Sequence, residues 1–491
     1  MKLLPLSRIA QWTGGRLLGV PAAAQAASGA PGFDVPIDAI ATDTRSLDAS
    51  DGRAALFIAL KGERFDGHDH VREAAEAGAR AALVSRPLDV ALPQLLVADT
   101  ERALAAFAAA LQHTRSGTVV AITGSNGKTS VKTLLLSILQ RASVLGADAA
   151  YANPGNRNNE IGLPLAVLDA PEHAQYAIYE MGAGKPGDIA YLTSVVRPQV
   201  AVVNNVAPAH LERMGSLLGV ADTKAAIYDA LPPGGVAVIN ADDAFAPYFA
   251  ERAHGRQLIR FGLDASADVS ARELQLDAAG ARFVLVTPHG ERPVTLAMTG
   301  RHNVRNALAA TALALGAGAS LDAIGAGLEA ARPVAGRLVT HRLGNGATLV
   351  DDSYNANPGS LNAAIELLAT TVSGGGEAWL VLGDMRELGA DAEALHAEGG
   401  RRAKAAGIAR LYALGPLSAA ATEAFGEGAR HFDSHAALVA ALHADLAVFV
   451  GVAPTRLQVL VKGSRGSAMD RIVAALLPSP TAHGEGVNHV A

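Results

Sequence analysis

The residues with the clearest chemical purpose lie between Thr118 and Leu136. Thr118-Val119-Val120-Ala121-Ile122 is a short apolar run, Thr123-Gly124-Ser125-Asn126-Gly127-Lys128-Thr129-Ser130 follows, and Val131, Leu134, Leu135 and Ile138 then recur at helical spacing. A buried strand, a glycine turn and the opening of a helix, in that order, make a phosphate cradle. Gly124 and Gly127 permit positive φ, so the backbone N–H groups of the turn can face an anion at the positive end of the helix. Lys128 would reach the β- and γ-phosphates, and the Thr129 hydroxyl would hold a magnesium ion. The spacing is T-G-x-x-G-K-T, because Ile122 stands where the longer G-x-x-x-x-G-K-[ST] loop has its first glycine. A plain glycine turn has the same composition; the strand-turn-helix context is what favours a nucleotide.

Phosphoryl transfer also needs metal ions to neutralise charge on the moving oxygens, so acidic or imidazole ligands should face this loop. Glu180 ends the apolar run Tyr176 to Glu180, and His210 follows the run Val200 to Asn204; both are candidate ligands. Lys224 falls on the next helix, where spacing alone reads it as a solvated lysine. Asp351-Asp352-Ser353-Tyr354-Asn355-Ala356-Asn357-Pro358 and Lys462-Gly463-Ser464-Arg465-Gly466 each follow a strand, the position of ligand-contacting loops in α/β sheets. Neither is diagnostic alone. Thr44, Arg45 and His68 also lie beside strands, though such residues are commonly ordinary turn residues.

The elements that must position these side chains divide the chain in three. With 491 residues, half of them hydrophobic, about three domains are expected. Residues 1–98 mix short strands (Ala55 to Leu60, Ala81 to Val84) with a helix from Val71 to Ala79. Residues 99–331 open on a helix from Glu101 to Gln112 and alternate the strands Thr118 to Ile122, Tyr176 to Glu180, Val200 to Asn204 and Val236 to Ile239 with helices, as a mainly parallel sheet requires. Between Val269 and Met298 the period becomes two around Asp277-Ala278-Ala279-Gly280, an antiparallel hairpin, and a long alanine-rich helix follows Gly300. Residues 332–477 carry the strands Ala347 to Val350, Ala378 to Leu382, Arg410 to Leu414, Leu446 to Val450 and Leu457 to Val461, with a helix from Asp391 to Ala405: a second doubly wound sheet. The tail 478–491 reads as disordered. Joints near Ala98 and Arg332 are candidate hinges.

Composition narrows the function. There is no cysteine, which excludes disulfides, thiolate metal sites and a cysteine nucleophile. A formal net charge of -6 leaves no basic stripe for nucleic acid and no polybasic membrane signal. The N-terminus meets charge and proline before a signal-length apolar run builds, and the long alanine runs are broken by Glu, Arg, Asp or Gly, so no membrane insertion is expected. The reading is a cytoplasmic enzyme acting on small molecules.

Taken together, Thr123 to Ser130, Asn158-Asn159-Glu160-Ile161-Gly162-Leu163-Pro164, Glu180-Met181-Gly182, Ala209-His210-Leu211-Glu212, Gly300-Arg301-His302-Asn303 with Asn306, Asp352 to Pro358, Gly383-Asp384-Met385 and Lys462 to Arg465 resemble the Mur ligase family, in order, from about Thr42 to Asp470. The resemblance implies an α/β chain of three domains: an N-terminal uridine-binding domain, a central P-loop-type ATPase domain and a C-terminal Rossmann-like domain. Thr44, Arg45, Ser46, Phe57, Lys61 and His68 would bind the uridine diphosphate end of the substrate. Gly124, Ser125, Asn126, Gly127, Lys128, Thr129 and Ser130 would hold ATP, with Asn303 and Asn306 against the adenine and Arg337 and Asp352 reaching over from the C-terminal domain. Thr129, Glu180, His210 and Lys224 would serve two magnesium ions, Lys224 after carbamylation, a modification no sequence pattern shows. Asn158, Asn159, Glu160, Asn355, Lys462, Ser464 and Arg465 would contact the substrates.

The family reaction is ATP-dependent amide formation through an acyl phosphate, with Lys128, His210 and Lys224 as the catalytic set. The Asp-Asn-Pro-Arg motif that recognises diaminopimelate is replaced here by Asn355-Ala356-Asn357-Pro358, which points to addition of D-alanyl-D-alanine to UDP-N-acetylmuramoyl-tripeptide by a monomer. Two departures stand out: Ala225 and Ala226 follow Lys224 where the family often has a glutamate, and Gly184-Lys185-Pro186-Gly187 replaces a loop that usually opens with Asn. Folylpolyglutamate synthase relatives share the short loop but lack a counterpart of Thr42 to His68. A binding module that hydrolyses ATP only to change shape is the alternative of a different class.

Overall fold

A computed structural model describes residues 2–19, 34–50, 52–62, 65–208, 210–277, 280–449 and 456–477. The expected tail from Pro478 lies outside them.

The central sheet has six parallel strands in the order Gln257–Phe261, Val236–Asn240, Val200–Val203, Thr118–Thr123, Tyr176–Glu180, Ala150–Ala152. Because helices cover both faces, its inner strands are mostly Val, Ile and Ala, with polar residues such as Thr123, Glu180 and Asn240 at their carboxyl ends. After Thr118–Thr123 the chain runs to the Ala150–Ala152 edge, returns through Tyr176–Glu180, and then crosses to Val200–Val203 on the other side. The carboxyl end of Thr118–Thr123 is therefore the switch point where open α/β sheets bind ligands, and the glycine turn sits on it.

The first region forms a five-stranded sheet in the order Arg16–Leu18, Gln94–Leu96, Ala81–Val84, Ala55–Ile58, Ala39–Ala41, parallel apart from its first pair. Its core does not end at Ala98. Leu56, Leu83 and Leu95 belong to the same apolar cluster as Phe107, Val119, Leu163 and Val203, with the helix Thr100–Gln112 between the two sheets. The C-terminal sheet runs Val339–Arg342, Thr348–Asp352, Leu457–Lys462, Glu377–Gly383, Arg410–Leu414, Ala429–Phe432, with only the first strand antiparallel. Its two apolar clusters contain no residue before Leu338, so packing is discontinuous near Arg332.

Two expectations are corrected. Of the expected strand Leu446 to Val450, Leu446 to Phe449 form the end of the helix His435–Phe449 and Val450 lies outside the described residues; the edge strand is instead Ala429–Phe432. The period-two region is a three-stranded antiparallel sheet, Ser270–Asp277, Gly280–Thr287 and Gly290–Leu296, one strand more than a hairpin.

Candidate active site

Gly124 has φ 149° and Gly127 φ 79°, and the helix Lys128–Ala142 starts directly after them. Both positions are strained for any other residue by their φ and crowded by their neighbours. A Cβ on Gly127 would lie 2.4 Å from Asn306 Oδ1 and 2.6 Å from Asn204 Nδ2, and one on Gly124 would lie 3.0 Å from Asn204 Cβ. The turn is pinned to the exit of the neighbouring strand: Ser125 N donates to Asn205 O at 3.0 Å and Asn126 N to Asn205 Oδ1 at 2.8 Å. Lys128 Nζ folds back over the loop and donates to Gly124 O at 2.7 Å. Desolvation draws this ammonium below its usual pKa, against the opposing pull of Glu180.

Glu180 is 3 % exposed and its carboxylate is fully held. Thr129 Oγ1 donates to Oε2 at 2.8 Å, Asn158 Nδ2 to Oε1 at 2.9 Å, and Lys132 Nζ lies 3.2 Å from Oε2. Burial works against its ionisation, but Lys132, Lys128 and the two hydrogen bonds prevail and hold the carboxyl below the ordinary glutamate range. Lys132 is absent from the sequence-derived set. Its signal was available: four residues after Lys128, it shares that residue's helix face and must lie under the same loop. It also donates to Asn153 O at 2.8 Å and Gly155 O at 2.9 Å, which fixes the segment leading to Asn158.

His210 adopts φ 53°, and its Nδ1 lies 2.5 Å from Glu387 Oε2 of the C-terminal body. Desolvation lowers its pKa, with Glu387 opposing. Lys224, 2 % exposed on the helix Leu217–Asp229, is drawn down to about 7 by desolvation and by the charge of Lys128. It is therefore no solvated helix lysine. Asn204 Nδ2 donates to Asn306 Oδ1 at 3.1 Å and Asn306 Nδ2 to Asn303 Oδ1 at 3.2 Å, a buried amide chain beside the glycine turn.

From the C-terminal body, Arg337 Nη2 donates to Thr129 Oγ1 at 2.9 Å while its guanidinium stacks on Tyr354 at 4.2 Å. Asp352 and Lys462, assigned above to different ligands, are bonded to each other at 2.6 Å. Lys128, Thr129, Glu180, His210, Lys224, Asn303, Asn306, Arg337, Asp352, Asn355, Lys462 and Arg465 line a single cleft of about 870 Å³, with Asn158, Asn159 and Glu160 along one wall. Ser464 does not line it. That hydroxyl receives Arg386 N at 2.9 Å and lies 3.2 Å from Ala356 O, closing the loop under the cleft.

Among the described residues no three His, Asp or Glu side chains form a metal cluster. The donor set at the turn is one carboxylate and one hydroxyl, 2.8 Å apart. That suits magnesium, which keeps several waters and takes one or two carboxylates plus phosphate oxygens.

Three family models match in chain order: "Mur ligase family, catalytic domain" over residues 37–117, "Mur ligase middle domain" over 122–314, and "Mur ligase, glutamate ligase domain" over 336–465. The UDP-N-acetylmuramoyl-tripeptide–D-alanyl-D-alanine ligase of Escherichia coli (strain K12) is 44% identical over 451 residues, covering 92% of this chain and 96% of its own. The chain is a Mur ligase. A crystal structure of MurF from Acinetobacter baumannii superposes with a TM-score of 0.86 at 34% identity, covering 97% of this chain and 99% of the other. MurF ligase from Thermotoga maritima, in complex with ADP, gives 0.77 at 26% identity, covering 89% and 96%.

In this Mur ligase the six residues expected at the uridine end do not line the cleft. Phe57 is 1 % exposed in the core with Ala41, Val71 and Ala82, so its ring is not a ligand surface. His68 is committed on both ring nitrogens, Nδ1 at 2.6 Å from Asp66 Oδ1 and Nε2 receiving Ser85 N at 2.8 Å. It organises the loop and has no nitrogen to spare. Thr44, Arg45 and Ser46 form one 3₁₀ turn against Asp43 and Glu73, and Lys61 pairs by its backbone with Asp66. The side chains of these four are half-buried or exposed, with Arg45 paired to Asp43 and Ser46 donating to Asp43 O at 2.7 Å.

Proposed function

We propose that this Mur ligase joins D-alanyl-D-alanine to UDP-N-acetylmuramoyl-tripeptide with hydrolysis of ATP to ADP and phosphate, in the cytoplasm and as a monomer. The observation that carries the reading is the convergence of the glycine turn, Glu180 and Arg337 on Thr129 at the switch point of the central sheet. The substrate pair follows the names of the relatives. The described residues contain no helix long and apolar enough to cross a membrane.

The backbone N–H groups that open the helix Lys128–Ala142, with the Lys128 ammonium, would receive the phosphates, and Asn303 and Asn306 of the amide chain would lie against the adenine. Thr129 and Glu180 would hold one magnesium ion, and His210 with a carbamylated Lys224 a second. When bound, the ions supply charge neutralisation on the phosphoryl oxygens. The support for carbamylation is the burial of Lys224: an amine drawn to about 7 is largely uncharged just above neutrality, the form that adds carbon dioxide.

The C-terminal carboxylate of the tripeptide attacks the γ-phosphorus, the bond to the bridging oxygen breaks, and ADP leaves an acyl phosphate. The dipeptide amine then attacks that carbonyl, the C–O bond to phosphate breaks, and the amine gives up its proton. The chain contributes position and charge, with Arg337 closing over Thr129 from the second body. The test offers ATP, UDP-N-acetylmuramoyl-tripeptide and either D-alanyl-D-alanine or single amino acids, and weighs the product. A mass gain of the dipeptide less water is expected. Phosphate release with neither acceptor nor amine present would support the shape-changing binding module instead.

A further inference from the structure

Two residues other than glycine in the left-handed region face each other across the boundary between the bodies. His210 has φ 53° and opens the short helix Leu211–Met214; Glu387 has φ 63° in the loop after Glu377–Gly383. Side chains rarely adopt this backbone conformation, and here it occurs on both partners of one contact. His210 Nδ1 and Glu387 Oε2 are 2.5 Å apart. The loops also meet through the backbone, since a Cβ on Gly389 would stand 3.5 Å from Glu212 Cα.

We propose that Glu387 is a positioning residue: its carboxylate accepts the Nδ1–H of His210, fixes that tautomer, and turns Nε2 into the cleft. Metal-ligating histidines characteristically present their other ring nitrogen to a carboxylate, which sets ring orientation and raises ligand basicity. Here that carboxylate comes from the other body, so the metal side of the site is complete only when the C-terminal body is seated. The inference rests on the reading of His210 as a metal-side residue given above. Neither group belongs to a core, His210 being 39 % and Glu387 57 % exposed in its side chain, so a packing role does not explain the pair.

The experiment compares Glu387→Ala, Glu387→Gln and His210→Ala in the full chain. Manganese binding is titrated by paramagnetic resonance with a non-hydrolysable ATP analogue present, and kcat and the KM for ATP are measured separately. Glu387→Ala should weaken manganese binding and lower kcat by about 10- to 100-fold with little change in KM, at an unchanged thermal midpoint. Glu387→Gln keeps an acceptor oxygen and should recover part of both. The long-range ¹⁵N spectrum of the His210 ring should show the Nδ1–H tautomer in the parent and a mixture in Glu387→Ala. Normal manganese binding and kcat in Glu387→Ala, with His210→Ala impaired, would overturn the role of Glu387 alone. Normal behaviour of His210→Ala would overturn the metal-side reading itself.

Discussion

Lys132 and Lys224 are buried lysines with contrasting surroundings. Lys132 has two carbonyls and Glu180 as partners, and against the upward pull of burial its charge is the largest influence that lowers the Glu180 carboxyl. Lys132→Met retains the apolar stem and removes the charge. The magnesium concentration for half-maximal turnover should then rise about tenfold at saturating ATP, in line with losses of supporting partners at other metal sites. An unchanged magnesium titration would remove Lys132 from the account.

Lys224 has the contrary problem, a buried amine beside the Lys128 charge. Its folded pKa of about 7 lies below the value near 10.4 of an unfolded lysine, so between those limits the unfolded chain binds more protons and stability rises with pH. In buffer free of carbon dioxide, Lys224→Met should therefore be more stable than the parent at pH 6, by roughly a few kcal/mol. The advantage should shrink as pH climbs from 7 toward 10. Thermal midpoints measured across that range check both the sign and the window; a difference independent of pH would mean the amine is not desolvated.

The glycine turn shows what an element asks of its residues. Gly127→Ala places a methyl group 2.4 Å from Asn306 Oδ1 at a φ of 79°, so either the helix start or the amide chain must move. A cost of about 1–3 kcal/mol in stability is expected from the backbone strain. Because the displaced groups flank the phosphate site, ADP affinity by calorimetry should drop at least about tenfold, equivalent to 1.4 kcal/mol. Wild-type affinity would show that the turn does not hold the nucleotide.

This element was readable because its parts are contiguous: an apolar β-branched run, two glycines and a helical period need no distant partner to be recognised. The same local logic misread Leu446 to Phe449, since a short apolar stretch fits a strand or the end of a buried helix equally, and the preceding alanine-rich turns from His435 decide for helix. Phe57 and His68 show the converse failure. The family resemblance implied ligand contact for both, and a place beside a strand suggested it for His68, whereas the ring of one is in the core and both nitrogens of the other are taken by Asp66 and Ser85. Glu387 left no trace in the sequence, because its partner is far away in the chain and belongs to another body.

Across the whole molecule the joints differ. The first two regions share one apolar cluster through the helix Thr100–Gln112, so the joint near Ala98 is packed. The C-terminal body keeps its own clusters and meets the central one through polar contacts, among them Arg337 to Thr129 at 2.9 Å and Asn357 Nδ2 to Asn126 Oδ1 at 2.7 Å. Polar interfaces between bodies are the ones that open and close. Each such hydrogen bond contributes about 1 kcal/mol net, enough to shift an open-closed equilibrium roughly fivefold. Arg337→Met removes the guanidinium bond while leaving both apolar clusters of the C-terminal body untouched. The variant should scatter X-rays as a more extended particle than the parent, with an unchanged profile of thermal unfolding. If the two scattering curves coincide, the seat of the C-terminal body is held by something other than its contacts with the phosphate turn, and the joint near Arg332 is not where this ligase opens.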